Sequence, residues 1–338
     1  MLSRLVLEKF RNFNEKELSL GLKTFVVGKN GTGKSNILEA IRLLSVGKSF
    51  KTSRLDEAIK FEDRYFRIGG EIHDKKYLEF FYGVQFVEEP IKERRLILDN
   101  QEISWLDFLG DLPSVLFTPL DTEIITGSPQ IRRKYLDGIL WQVDKGFRYD
   151  YLEMTKVLKE RSVLLWLLKT GRSNRGELEP WNEILLKLTD KIRSKRLIFV
   201  DYLKEFLEKT GSQPKIEVNY LPNKVEMNQV LEQEIKSSQN IYGSHRDEVE
   251  ISYNERQARR FASRGQARQA IVLIKAAEAA YLHEKTGNKP IILLDDLYSE
   301  LDKTKADKLI SMFSDNYQVI STAIEKPAII DGWEIIEL

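Results

Sequence analysis

The chain has 338 residues, of which 42% are hydrophobic and 31% charged, so it has the composition of a globular protein long enough for two domains. It contains no cysteine and only three scattered histidines, which excludes disulfides, thiolate metal sites and a histidine metal cluster. Its 53 basic and 52 acidic residues nearly balance, and no apolar run approaches the ~20 residues of a membrane span, so we expect a cytoplasmic protein with no membrane partner.

The first 120 residues are predicted to be rich in strands. Runs of β-formers indicate strands at 2–10, 23–27, 65–72, 77–86 and 114–117, and a hairpin at 95–103 that turns at Asp99-Asn100. The turn residues favour antiparallel pairing for most of these strands.

One loop in this region carries a phosphate-binding pattern. The sequence GKNGTGKS at 28–35 has the form G-x-x-x-x-G-K-[ST], with a buried strand before it and an amphipathic helix after it. In that context the backbone N–H groups converge on phosphate oxygens, Lys34 bridges the β- and γ-phosphates, and Ser35 ligates Mg²⁺. The predicted nucleotide-binding residues are Gly28, Lys29, Asn30, Gly31, Thr32, Gly33, Lys34 and Ser35.

The middle of the chain is predicted to be a helical lobe. Helical periodicity covers 129–140, 149–170 and 181–210, with a Gly/Ser-rich break at 171–176. Residues 131–200 hold 16 Lys/Arg against 9 Asp/Glu. This excess indicates polyanion binding, although solvated helix faces also produce such a pattern.

Strand signals return in the last third, at 215–220, 248–253, 290–294, 318–321 and 333–336, with a helix at 266–285. The apolar run that ends at Leu294 is followed by Asp295 and Asp296. Because ligands bind at the carboxyl edge of open α/β sheets, Asp295 is predicted to hold Mg²⁺ opposite Ser35, and Asp296 to orient the attacking water. A strand end with solvated carboxylates is the alternative.

A second phosphate contact is predicted where the helix at 266–285 begins. Ser263, Gly265 and Gln266 form a Ser-x-Gly-Gln segment that presents a hydroxyl and free amides, although an ordinary helix cap has the same pattern. The order of phosphate loop, Ser-x-Gly-Gln, apolar-Asp-Asp and Ser299-Glu300-Leu301-Asp302 is that of ABC-type ATPase heads. We therefore predict an α/β head with a mixed sheet and an antiparallel β subdomain (1–117 and 236–338), and an inserted α-helical lobe (118–235).

Further short motifs resemble those of the RecF recombination-mediator family, which belongs to the ATPase class that contains the SMC heads. They are LEKFRNF at 7–13, SNILEA at 35–40, GKSFKT at 47–52, FTP at 117–119, GSP at 127–129, RRKYLD at 132–137, GSHRDE at 243–248 and RRFASRGQ at 259–266. The family's Gly-Pro-His-Arg reads Gly243-Ser244-His245-Arg246 here.

The resemblance implies a weak, DNA-stimulated ATPase that binds ATP and Mg²⁺, and DNA that is gapped, single-stranded or duplex. It implies an ATP-dependent homodimer that helps RecR and RecO load RecA in recombinational repair. It also implies that Asn36, Arg11 and Asn12 lie at the nucleotide, and that Ser263, Gly265 and Gln266 contact the γ-phosphate held by the other subunit. Basic residues of the helical lobe, with Lys48, Lys51 and Arg54, are the expected DNA contacts.

Two other functions use the same loop. The ATPase cassette of a membrane transporter keeps a switch histidine where this chain has Ser321-Thr322-Ala323. Such a cassette has a helical subdomain of modest size, whereas about 230 residues separate Ser35 from Ser263 in this chain. A phosphoryl-transfer kinase needs an acceptor pocket with a positioned base, for which the sequence offers only the Asp295-Asp296 pair.

Overall fold

A computed structural model describes residues 1–72, 75–86, 90–211, 215–300, 303–327 and 332–338. These residues form two compact units, which we call unit 1 (Met1–Asp121 and Glu278–Leu338) and unit 2 (Thr122–Ala277). Within the described ranges, no helix is both long and apolar enough to cross a membrane.

Unit 1 contains a six-stranded antiparallel sheet with the order β2-β1-β4-β5-β6-β7. The predicted hairpin turn is confirmed, since Asp99 and Asn100 both have positive φ between two paired strands. The strands of this sheet are β1 (Arg4–Phe10), β2 (Phe13–Ser19), β4 (Tyr65–Glu71), β5 (Tyr77–Phe86), β6 (Pro90–Leu98) and β7 (Gln101–Ile103).

Unit 1 also contains a five-stranded parallel sheet with the order β14-β3-β13-β12-β8. Its strands are β3 (Lys23–Val27), β8 (Ser114–Phe117), β12 (Ile291–Leu294), β13 (Val319–Ala323) and β14 (Glu334–Glu337). Three of them are buried over their whole length, as continuous apolar runs in parallel sheets usually are. The predicted α/β fold, with both parallel and antiparallel strand pairing, is confirmed.

Helix α1 (Lys34–Val46) packs between the two sheets of unit 1. It packs against β8 and β13 on one side and against β4 and β5 on the other, so apolar residues surround most of the helix. The shorter helices of this unit are α2 (Trp105–Phe108), α10 (Leu297–Glu300) and α11 (Lys303–Ser314), with 3-10 turns at Leu55–Ala58 and Pro119–Thr122.

Unit 2 combines helices with a small antiparallel sheet of order β11-β10-β9. Its elements are α3 (Glu123–Thr126), α4 (Pro129–Val143), α5 (Lys145–Lys169), α6 (Glu179–Lys209), β9 (Ile216–Leu221), α7 (Met227–Ser237), β10 (Glu248–Tyr253), β11 (Arg256–Gln257) and α8 (Ala258–Phe261), with 3-10 turns at Arg175–Glu177 and Ser244–Arg246. Helix α9 (Arg264–Thr286) begins in unit 2 and ends in unit 1.

The predicted domain boundary at residue 236, after which the chain is assigned to the ATPase head, differs from this division. Residues 236–277 stay in unit 2 because β10 pairs with β9, for example through Val249 and Tyr220, and packs on α4. The three long helices of the lobe agree with the prediction, whereas β2, α7 and α11 were not predicted.

Buried ion pairs account for part of the basic excess of the helical region. Arg161 and Glu234 are both fully buried, with 2.7 Å between Nη2 and Oε2, and Arg161 Nε also donates to Asn182 at 2.9 Å. Glu234 lies outside residues 131–200, so the count of basic and acidic residues in that range includes Arg161 but not the carboxylate that neutralises it.

This pair gives a stability prediction. Glu234→Gln leaves the Arg161 guanidinium buried without a carboxylate, which we expect to cost about 3–5 kcal/mol in unfolding free energy, measured by urea denaturation. Glu205→Gln removes the exposed partner of Lys209 and is the matched control, with an expected cost below about 0.5 kcal/mol. Equal losses in the two variants would contradict the assigned role of burial.

Candidate nucleotide-binding site

The loop at 28–33 joins β3 to α1 in the conformation that the glycine spacing predicts. Gly31 and Gly33 have φ of +87° and +108°, which side chains rarely adopt. A Cβ on Gly33 would also lie 2.7 Å from the Asn12 amide. Glycine is therefore required at 33 both by its dihedral angle and by the close approach of Asn12.

The turn leaves backbone donors available at the start of α1. Within the described residues, no protein group accepts a hydrogen bond from the N–H of Gly31, Gly33, Lys34 or Ser35. The buried Lys34 ammonium donates to the carbonyls of Gly28 at 2.6 Å and Lys29 at 3.0 Å, so it lies against the same loop. A loop with free N–H groups and an ammonium beside it is suited to binding phosphate.

Asn12 lies against this loop, and Arg11 contacts the helix that follows it. Asn12 Nδ2 donates to the Thr32 carbonyl at 2.9 Å, and its Oδ1 accepts from Asn36 Nδ2 at 2.8 Å. Arg11 forms a two-point contact with the fully buried Glu39, at 2.9 and 2.6 Å. The end of β1 is thereby connected to α1 by side-chain contacts.

Ser35 and Asp295 meet at the carboxyl edge of the parallel sheet. The Thr322 hydroxyl donates to the Asp295 carboxylate at 3.1 Å, and the Ser35 hydroxyl is close enough to lower the pKa of that carboxyl. Burial raises the pKa of Asp295 above 3.8, while these hydroxyls and the Lys51 charge act in the opposite direction. The predicted pairing of the phosphate loop with the downstream aspartate is present in the fold.

Asp296 follows in a left-handed conformation, with φ of 52°. Its N–H donates to Thr322 Oγ1 at 2.8 Å. Thr322 therefore contacts both aspartates, one through the carboxylate and the other through the backbone. The sequence alone indicates no role for Thr322, because only the parallel register of β12 with β13 brings it there.

Lys51, one of the expected DNA contacts, lies at this site. Its Nζ donates to Asn36 Oδ1 at 2.7 Å, and its charge interacts with Glu39 and Asp295. Ser49 Oγ donates to Glu39 at 2.5 Å and accepts from the backbone N–H of Lys51 at 2.9 Å. The segment after α1 thus lies at the candidate nucleotide site.

The Ser-x-Gly-Gln segment lies in unit 2 and caps α9. The Ser263 N–H donates to Gln266 Oε1 at 2.8 Å, and Ser263 Oγ accepts from the Gln266 N–H at 3.3 Å, which is a reciprocal capping box. Ser263 and Gly265 are exposed, and nothing lies within 4 Å of a Cβ built on Gly265. Of the predicted motif at 299–302, Leu301 and Asp302 lie outside the described residues.

The donors at the carboxyl edge fit a magnesium ion. A serine hydroxyl and a buried carboxylate offer hard oxygen ligands, and Mg²⁺ in phosphate-transfer proteins takes few protein ligands besides phosphates and water. Within the described part of the chain, no three His, Asp or Glu residues cluster as a metal-binding group.

Comparison with known proteins decides the family. The model of the RecF/RecN/SMC N-terminal domain matches residues 1–338. The DNA replication and repair protein RecF of Caldanaerobacter subterraneus subsp. tengcongensis is 33% identical over 329 residues, which cover 90% of this chain and 89% of that protein. The chain belongs to the RecF family. RecF of Chlorobium phaeobacteroides is 30% identical over 325 residues, with similar coverage.

Solved structures agree with this membership. The structure of the recombination mediator protein RecF with ATP, in the RecFOR pathway, has a TM-score of 0.87 at 31% identity, and the match covers 97% of this chain and 93% of that one. An SMC head bound to the C-terminal winged-helix domain of ScpA matches at a TM-score of 0.52 and 17% identity, and shares the fold. The predicted family and the predicted ATPase-head fold are confirmed.

The raised pKa of Asp295 gives a pH-dependent prediction. The folded state resists ionisation of this carboxyl, so stability falls as the pH rises from 3.8 through the folded pKa. Asp295→Asn removes that cost, and we expect it to raise the Tm by roughly 2–4 °C at neutral pH, with a difference that shrinks on acidification. Thermal melts across the pH range measure this.

The control for this series is Asp315→Asn, a carboxylate with 78% of its side chain exposed. It is expected to melt like the wild type at every pH. A lower Tm for Asp295→Asn at neutral pH would show that the hydroxyl contacts outweigh the cost of burial.

Proposed function

We propose that this protein is an ATP-dependent DNA-binding protein of recombinational repair, in which ATP closes a homodimer on DNA and slow hydrolysis releases it. The approach of the Ser35 hydroxyl to the Asp295 carboxylate at the carboxyl edge of the sheet carries this proposal, because a triphosphate site of this class needs both groups at one point. Membership in a family whose relatives are named for DNA replication and repair supports the DNA part.

Each part of the site has a separate role in the proposed reaction. Free N–H groups of the loop and Lys34 bind the β- and γ-phosphates, and Ser35 and Asp295 hold Mg²⁺. Bound Mg²⁺ supplies charge neutralisation at the phosphates. Asp296 orients the attacking water, and Thr322 keeps Asp295 and the backbone of Asp296 in place.

The second subunit completes the site in this proposal. Ser263, Gly265 and Gln266 contact the γ-phosphate held by the partner subunit's loop. Their exposure at the start of a capped helix supports this role, since Gly265 leaves room for a close approach. The γ-phosphate then joins the two heads, and its loss on hydrolysis separates them.

The proposal includes partners and a location. RecR and RecO are the expected mediators, and RecA is loaded at single-strand gaps. The solved relative described as part of the RecFOR pathway supports this assignment. The proposed location is the cytoplasm, a reducing compartment that suits a cysteine-free chain. Ser321-Thr322-Ala323 in place of a switch histidine gives the transporter cassette no support.

Substitutions at the nucleotide site test the chemistry. Lys34→Ala removes a charge-assisted contact to phosphate and is expected to weaken ATP binding about 10- to 100-fold. Asp296→Asn is expected to bind ATP like the wild type and to hydrolyse it about 10²–10⁴-fold more slowly. Binding of a fluorescent ATP analogue and phosphate release measure the two effects.

Lys60→Ala, a partly exposed lysine of unit 1 paired with Asp63, is the control and should change neither quantity. If Asp296→Asn hydrolyses ATP at the normal rate, another group positions the water, and Glu300 is the next acidic residue along the chain.

Substitutions at Ser263 test the dimer. Ser263→Asp retains a good helix cap but brings a negative charge to the partner's triphosphate, and Ser263→Arg blocks the approach by its size. Both are expected to bind ATP as monomers and to lose ATP-dependent association and hydrolysis, as followed by sedimentation velocity. Ser237→Arg at the end of α7 is the control. Normal dimerisation of Ser263→Asp would refute the role in the partner's site.

A further inference from the structure

A basic cavity of about 370 Å³ lies within unit 2, separate from the residues of the nucleotide site. Helices α4, α5 and α6 and the turn Ser244–Arg246 form its walls. Two of the strings that link the sequence to its family meet there, RRKYLD at 132–137 and GSHRDE at 243–248. The proposed ATP chemistry uses neither string, so their charges need another explanation.

Buried ion pairs hold the walls of the cavity in place. Arg196 contacts Asp137 at 2.8 and 2.9 Å and also donates to the Ser244 carbonyl at 2.7 Å. Arg193 contacts Asp247 at 2.9 and 3.0 Å. These contacts connect α4, α6 and the turn before β10, so the positions of the neighbouring cations do not depend on a flexible loop.

The turn itself is built for close packing. Gly243 has φ of +129°, and a Cβ there would lie 2.9 Å from His245 Nδ1. Arg246 donates to the Asn240 carbonyl through Nε at 2.9 Å and Nη2 at 2.7 Å. Its backbone-bound guanidinium is therefore held in one orientation at the edge of the cavity.

Three cations around the cavity have no close ion-pair partner. Throughout the described ranges, no carboxylate lies within ion-pair distance of Arg133, Lys134 or Arg246. Arg133 donates to the Asp247 carbonyl at 2.5 Å, and Lys134 and Arg246 are exposed. The carboxylate that lines the cavity, Asp137, is already paired with Arg196, so the cavity retains a positive charge.

From this geometry we infer that the cavity binds a phosphate of the DNA backbone through Arg133, Lys134 and Arg246. Guanidinium and ammonium groups on fixed walls bind phosphate oxygens, and such contacts do not depend on base sequence. The inference rests on the proposed DNA binding and identifies one place in unit 2 where the DNA is held.

The test uses the full-length protein with substitutions at the two exposed cations. Lys134→Gln/Arg246→Gln is expected to weaken binding of a labelled duplex about tenfold or more, and to lower the slope of log affinity against log salt by about 1 for each cation removed. Affinity for a fluorescent ATP analogue should be unchanged, because the nucleotide site lies in unit 1. Fluorescence anisotropy over a salt series measures both binding reactions.

Lys209→Gln removes one positive charge from the end of α6 and is the control matched to Lys134→Gln, with an expected change in DNA affinity of less than about twofold. The single variant Lys134→Gln serves if the double variant does not fold, since no described protein group bonds that ammonium. It should lower the salt slope by about 1.

The phosphate bound in the cavity could be a free phosphate ion or a phosphate of the DNA backbone. Calorimetry with inorganic phosphate distinguishes these two sources. Saturable binding of inorganic phosphate without binding of DNA would overturn the assignment to the DNA backbone. Wild-type affinity and salt slope in the variants would overturn this site alone and leave the proposed function in place. Failure of the wild-type protein itself to bind DNA with ATP would overturn both.

Discussion

The parallel pairing of three strands is the constraint on which the nucleotide site depends. Strand β13 lies between β3 and β12, in a register that pairs Ala323 with Val27 and Ser321 with Leu294. All three strands therefore end at one edge, where the phosphate loop and the two aspartates follow. Because the connections between these strands are long, the groups of the site come from distant parts of the chain and meet only in the folded sheet.

The site has a cost in stability that the rest of unit 1 offsets. It buries the Lys34 ammonium, the Glu39 carboxylate and much of Asp295, and burial of charge is unfavourable unless partners compensate it. Backbone carbonyls, Arg11 and the Thr322 hydroxyl provide those partners. Helix α1 is held between two sheets by an apolar core, so the start of this helix is rigid where phosphate is to be bound.

Unit 2 uses charge in two different ways. Arg161, Arg193 and Arg196 are paired with carboxylates inside the fold and connect its helices to its small sheet. Arg133, Lys134 and Arg246 lie on the same framework without such partners. Composition counts these six cations alike, and only the fold separates structural charges from charges available to a ligand.

The sequence by itself determined the phosphate loop, the strand before the two aspartates and the long helices, since these depend on local spacing and periodicity. It also identified the family, because the motifs keep their order along the chain. Only the tertiary structure decided the position of Thr322 beside both aspartates, the place of Lys51 at Asn36, and the allocation of 236–277 to unit 2. Each of these follows from strand register or from contacts between residues far apart in sequence, and local pattern contains no information on either.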